Sequence, residues 1–191
     1  RLGGGVQLIG TTSASLNWNF ADWGGLALGA SRSSGNGLLL GSATPAGTAS
    51  LAETATLGIS ARVGFGEGWI TTVAYSEGVT QLDLNRAGLN ARLEPVRSQA
   101  YALGLAKQGL FGDDALGIAV SRPMQIHGAG NFAAINPGLA QARESDVELG
   151  YVTTFLDGTL ALQANAAYQL NAAGAKGQNA VTGVARAKLN F

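Results

Sequence analysis

The feature that most constrains this chain is a strict two-residue alternation close to its C-terminus. Leu160, Leu162, Ala164, Ala166, Tyr168 and Leu170 alternate with Ala161, Gln163, Asn165, Ala167, Gln169 and Asn171. Val181, Gly183, Ala185, Ala187, Leu189 and Phe191 repeat the apolar row, with Thr182, Arg186, Lys188 and Asn190 among the residues between them. Successive side chains of an extended strand point to opposite faces, so each segment presents one apolar face and one small or polar face. The same test marks strands over 13–20 (Ala14, Leu16, Trp18, Phe20), 24–32, 54–65, 68–77, 98–110, 113–122 and 143–156. A weaker glycine-rich segment at 3–9 brings the expected count to ten. Val79, Leu82, Leu84, Leu89 and Leu93 leave room for a hairpin within 79–93 that raises it to twelve.

What lies against the apolar faces follows from composition. The chain is 46% hydrophobic but only 13% charged, about half the charge of an ordinary soluble domain. A soluble β-sandwich puts Lys, Glu and Thr on its solvent faces, whereas the second faces here are mainly Gly, Ala, Ser and Asn, as in an enclosed surface. No apolar run approaches the ~20 residues of a membrane helix, so a membrane would be crossed by strands. The connections at 21–23, 66–67, 112 and 157–158 are tight, and those at 33–53, 78–97, 123–142 and 172–177 are longer. Outer-membrane barrels alternate short periplasmic turns with longer extracellular loops, which places both termini in the periplasm. Phe20, Trp23, Phe65, Trp69, Phe111, Phe155 and Phe191 all fall beside the short turns or the terminus, as a periplasmic aromatic girdle. Tyr75, Tyr101 and Tyr168 fall near the opposite strand ends.

These patterns predict an all-β fold: a closed antiparallel transmembrane β-barrel of about 10 to 12 strands, forming a single outer-membrane domain over residues 1–191. Outer-membrane lipid and lipopolysaccharide would surround it. Arg62, Asp146, Glu148, Arg186 and Lys188 would project into the lumen as a ladder of opposite charges bracing the wall. The chain starts at Arg1 without a signal-type apolar run, and is read as the C-terminal part of a longer Gram-negative precursor.

Several chemistries are disfavoured. The formal net charge is zero and the basic residues are scattered, so nucleic acid is not an expected partner. The absence of cysteine removes disulfides, thiolate metal sites and cysteine nucleophiles. His127, the only histidine, falls in the long segment after Ser121 with no second base or ligand near it in sequence. Gly3–Gly5 lacks the lysine and helix of a phosphate loop. Asp146 and Glu148 share a strand face and read better as partners of Arg62, Arg186 or Lys188 than as an acid–base pair. The Gly/Ser/Thr/Ala-rich 35–50 segment reads as a mobile extracellular loop. No enzyme activity, cofactor or metal is expected.

Two segments resemble a known family. Ser121-Arg122-Pro123-Met124-Gln125-Ile126-His127-Gly128 and Arg143-Glu144-Ser145-Asp146-Val147-Glu148-Leu149-Gly150-Tyr151 resemble stretches of the C-terminal translocator barrels of autotransporters, closest to those with a subtilisin-like serine protease passenger. Phe191, with Leu189 and Ala187 before it, resembles the C-terminal signal read by the barrel assembly machinery. An edge strand with a regular apolar face can be captured by strand addition, which is the physical basis of such a signal. The resemblance implies a barrel that exports and anchors a passenger. A small structural barrel serving a larger outer-membrane complex through its loops is the alternative. A porin is disfavoured by the few inward charges and small strand number.

Overall fold

The structure is a computed structural model, and it describes residues 10–35, 38–39, 42–43, 51–86, 89–92, 94–128, 143–156 and 159–189. The chain forms β1 (Gly10–Ala21), β2 (Gly24–Gly35), β3 (Leu38–Leu39), β4 (Ser42–Ala43), β5 (Leu51–Gly64) and β6 (Trp69–Arg86). It continues through β7 (Leu89–Arg92), β8 (Val96–Gln108), β9 (Asp114–Gly128), β10 (Ser145–Phe155), β11 (Leu160–Leu170) and β12 (Ala180–Leu189). One sheet runs β1-β2-β5-β6-β8-β9-β10-β11-β12, with β7 paired to the end of β6 and β3 paired only with β4. Every ladder is antiparallel.

The all-β antiparallel architecture matches the alternation in the sequence, but two expectations, closure and the hairpin within 79–93, need correction. Among the described residues no ladder joins β1 to β12, so the sheet is seen as nine long strands with two free edges, not as a closed ring. The expected strand at 3–9 lies outside the described residues. The hairpin expected within 79–93 exists, but it is a short extension in which Asp83–Arg86 pairs with Leu89–Arg92, not two more full-length strands. The described sheet starts with Gly10 at the long-connection end and finishes with Leu189 at the short-turn end.

Two strands also run further than their patterns suggest. β6 continues through Gly78, where a side chain would collide with the Ser98 hydroxyl at 2.6 Å, so that glycine serves a close approach of strands and does not end one. β9 continues through Pro123 to Gly128, which makes His127 an exposed strand residue and corrects its expected loop position. Proline cannot donate to a ladder, and two features accommodate it. The last residue of β9 that pairs with β10 is Ser121, so the rest of the strand is laddered to β8 alone. On that β8 side the register shifts between Gln99 and Tyr101, opposite Pro123, as at a bulge.

The strands are progressively staggered. The rung containing Arg62 passes through Asn19, Gly25, Thr72, Gly104, Ala119, Glu148, Ala167 and Thr182. It meets β1 close to its short-turn end and β12 close to its long-connection end. Such a drift of register is what tilted strands show when a sheet curls about an axis.

Candidate membrane-facing and concave surfaces

Register assigns every strand residue to one of two faces, since directly paired residues share a face. The first face is apolar and exposed. On β5 it carries Ala55, Leu57, Ile59, Ala61 and Val63, with Leu57 65% exposed; on neighbouring strands it carries Leu28, Val73, Leu103, Ile118 and Leu149. A continuous apolar surface of this extent is rare on a soluble monomer and marks a surface that meets either protein or lipid. It has borders. Towards the long connections Tyr75 pairs with Tyr101, and Arg122 lies over the Tyr101 ring at 4.9 Å. Beyond them come the outward ion pairs Arg32–Glu53 and Arg97–Glu77. From Trp69 to Glu77, β6 thus spans the ~9–11 residues that a tilted strand needs to cross hydrocarbon.

The other border is aromatic. Phe20, Trp23, Phe65, Trp69, Phe111 and Phe155 are all exposed and all lie at the short-turn end. Phe20 packs edge-on against Trp18 and Trp23 at 5.7 and 5.3 Å, and Phe65 stacks on Trp69 at 6.4 Å. Gly24 is open beneath the Phe20 ring, where a Cβ would come within 2.4 Å of ring carbons. Lys107 lies 5.6 Å from the centre of the Trp69 ring and donates to the Glu67 carbonyl. The turn carrying Phe111, which is 86% exposed, is fastened by Asp114. The backbone N–H groups of Leu110 and Phe111 donate to its Oδ1 at 2.7 and 3.0 Å, and Tyr151 Oη donates to its Oδ2 at 3.0 Å. Sequence reading missed Asp114. The only available signal was a carboxylate directly after a Gly-bounded turn, which is a common turn-fastening arrangement.

The second face is concave and lined by small residues. Ser15 on β1, Gly29 on β2, Ser60 on β5, Ala74 on β6, Ala102 on β8 and Ser121 on β9 border one recess of about 430 Å³. A second recess brings Thr72 on β6 together with Glu148 and Thr182 on β10 and β12. Val152 and Val184 are larger apolar members of this face. Towards the long connections Thr80, Ser98 and Val96 on this face are fully buried. The Thr54 and Thr80 hydroxyls lie 2.9 Å apart, and Ser98 donates to the Gly78 carbonyl.

Register places Arg62, Asp146, Glu148, Arg186 and Lys188 all on this concave face. They do not pair with one another among the described residues, which corrects the expected ladder of ion pairs. Arg62 and Glu148 share a rung but sit on β5 and β10, with β6, β8 and β9 between them. Arg186 and Lys188 lie towards the short-turn end of β12, away from the rungs of Asp146 and Glu148. Asp146 is buried, and its Oδ1 has no hydrogen-bond partner among the described residues. Ala187 and Leu189 lie on the apolar face of β12, opposite Leu162 and Leu160. Phe191 is outside the described residues.

No known family, curated protein or solved structure matches the chain.

Proposed function

We propose that this chain is a transmembrane β-barrel of a Gram-negative outer membrane, and that it works as the translocator of an autotransporter. The observation that carries the membrane reading is the apolar exterior with two different borders, one of Trp and Phe and the other of Tyr followed by ion pairs. Lipid-facing barrels need this layering, because aromatic rings favour the headgroup level and charges are excluded from the hydrocarbon. The short turns then face the periplasm and the long connections face outward. Closure is part of the proposal, since free backbone groups at a sheet edge have no partner in lipid; the staggered register supports it.

The translocator reading rests on the two resembling segments and on the concave wall. Those segments fall on the end of β9 and the start of β10, where their ladder meets at Ser121 and Asp146. Small, sparsely charged walls let a polypeptide pass without strong attachment, and the chain would anchor the passenger it exports. The barrel assembly machinery would insert it through a terminal signal including Phe191, Leu189 and Ala187. The full burial of Thr80, Val96 and Ser98 on the small-residue face favours the second reading, a structural barrel serving a larger outer-membrane complex. The deciding experiment fuses a reporter passenger upstream and measures its protease accessibility on intact cells. Surface exposure supports export; a reporter that stays inside while the barrel folds supports the structural role. A chain that remains dissolved as a monomer without detergent overturns both.

A further inference from the structure

We infer that Arg122 and Arg143 together form a site for a phosphate group on the headgroup of an outer-leaflet glycolipid, on the apolar side of β9 and β10 at the tyrosine border. The inference rests on the membrane reading above and names a ligand for one place on that surface. It begins from register. Arg122 pairs with Tyr101, a member of the apolar face, so Arg122 shares that face. Asp146 pairs with Ser121, which sets Ser145 level with Arg122 and Arg143 two residues further along, on the same face by alternation. Diagonal neighbours of this kind on adjacent strands are ~7–8 Å apart, close enough for one tetrahedral anion to accept from both guanidinium groups.

Arg143 is held there although it precedes β10. Asn171 Nδ2 donates to its carbonyl at 3.0 Å from the β11 side, and Gln125 Nε2 donates to the carbonyl of Glu144 at 2.9 Å from the β9 side. Arg122 is held by the Tyr101 ring, 4.9 Å from its guanidinium carbon, while its Nε–H has no acceptor among the described residues.

Charge supplies the second observation. The other outward arginines near this border, Arg32 and Arg97, each face a carboxylate, Glu53 and Glu77. Arg122 and Arg143 have no ion-pair partner among the described residues. The carboxylates nearest to them in sequence are turned away: Asp146 and Glu148 lie on the concave face, and Glu144 Oε1 accepts from Gln169, the concave-face partner of Asp146. Two unneutralised guanidinium groups thus stand where an aromatic border marks the headgroup level. The guanidinium fork matches phosphate oxygens bidentately. A phosphomonoester suits the pair better than a zwitterionic headgroup, whose ammonium both arginines repel. The long connections face outward in the proposed orientation, so the phosphate is that of an outer-leaflet glycolipid.

The test uses the full chain refolded in non-ionic detergent, taking only the heat-modifiable form. Bisphosphorylated lipid A and its dephosphorylated counterpart are titrated separately, and native mass spectrometry reads the fraction of barrel carrying one lipid. Losing charge-assisted hydrogen bonds from both groups should weaken lipid A binding by about tenfold or more in the Arg122→Gln, Arg143→Gln double variant. Arg143→Gln alone lies outside every ladder and should show a smaller loss, which carries the test if the double variant does not fold. Arg32→Gln should leave the affinity unchanged. Equal binding of dephosphorylated lipid A overturns the inference, because acyl chains then account for the contact, as does unchanged affinity in the arginine variants. Displacement of lipid A by millimolar inorganic phosphate also overturns it, by assigning the site to a free anion. Failure of the membrane reading is separately visible, as absence of a heat-modifiable band in the unaltered chain.

Discussion

Gly68 shows how much of the short-turn end depends on single residues. It has φ +77°, and a Cβ there would stand 2.5 Å from the Gln108 carbonyl oxygen, while its own carbonyl accepts from the Gln108 N–H at 2.8 Å. Gly68→Ala therefore imposes both left-handed strain and a backbone collision, and should cost about 1–3 kcal/mol. Urea unfolding in detergent measures this; an unchanged midpoint would show that the β5–β6 turn does not pack against β8. Asp114 allows a graded comparison. Asp114→Ala removes an acceptor of three donors and should destabilise by more than Tyr151→Phe, which removes one, at roughly 0.5–1.5 kcal/mol per bond. Equal losses for the two variants would mean that the contacts to Leu110 and Phe111 contribute nothing.

At the scale of the strand, the face assignment makes a depth-dependent prediction. Ile59 lies within the apolar surface of β5, whereas Ala55 on the same face lies closer to Glu53 and the ion-paired border. Ile59→Arg should cost about 2–4 kcal/mol and Ala55→Arg only about 0–1 kcal/mol, the dependence seen for lipid-facing barrel residues. Folding free energies into lipid vesicles would measure both, and equal costs would remove the argument for a hydrocarbon layer. Such faces were legible in the sequence because period two is a local property: knowing that Leu57 points one way fixes Gly58 the other way. The shared face of Asp146 and Glu148 was legible for the same reason. Their lack of ion-pair partners among the described residues was not, because whether Arg62 meets Glu148 depends on the register of the strands between them. The extents of β6 and β9 were hidden by Gly78 and Pro123, which read as breakers until the strand beside them is known. Glycine at 78 admits Ser98, and proline at 123 sits opposite a register shift on a stretch whose backbone ladder lies on one side only.

At the scale of the whole molecule, the proposed function divides the work between the two faces: one would hold the sheet in lipid and the other would border whatever passes or rests inside. Gly29 separates these roles, because a Cβ built there meets nothing within 4 Å while its neighbour Leu28 lies on the apolar face. Gly29→Trp would push an indole into the recess shared by β1, β2, β5, β6, β8 and β9 without colliding with the wall near its own Cβ. Leu28→Trp would add the same bulk to the lipid side. Both variants should give a normal heat-modifiable band, since neither disturbs the ladder that joins β2 to β1 and β5. Export of an upstream passenger should fall several-fold for Gly29→Trp and stay unchanged for Leu28→Trp, measured as surface protease accessibility relative to the amount of folded barrel. Equal export from the two variants would mean that the concave wall is not the route. A loss of folding for Gly29→Trp alone would mean instead that the recess is occupied by packed side chains in the mature protein, as the structural-barrel reading requires.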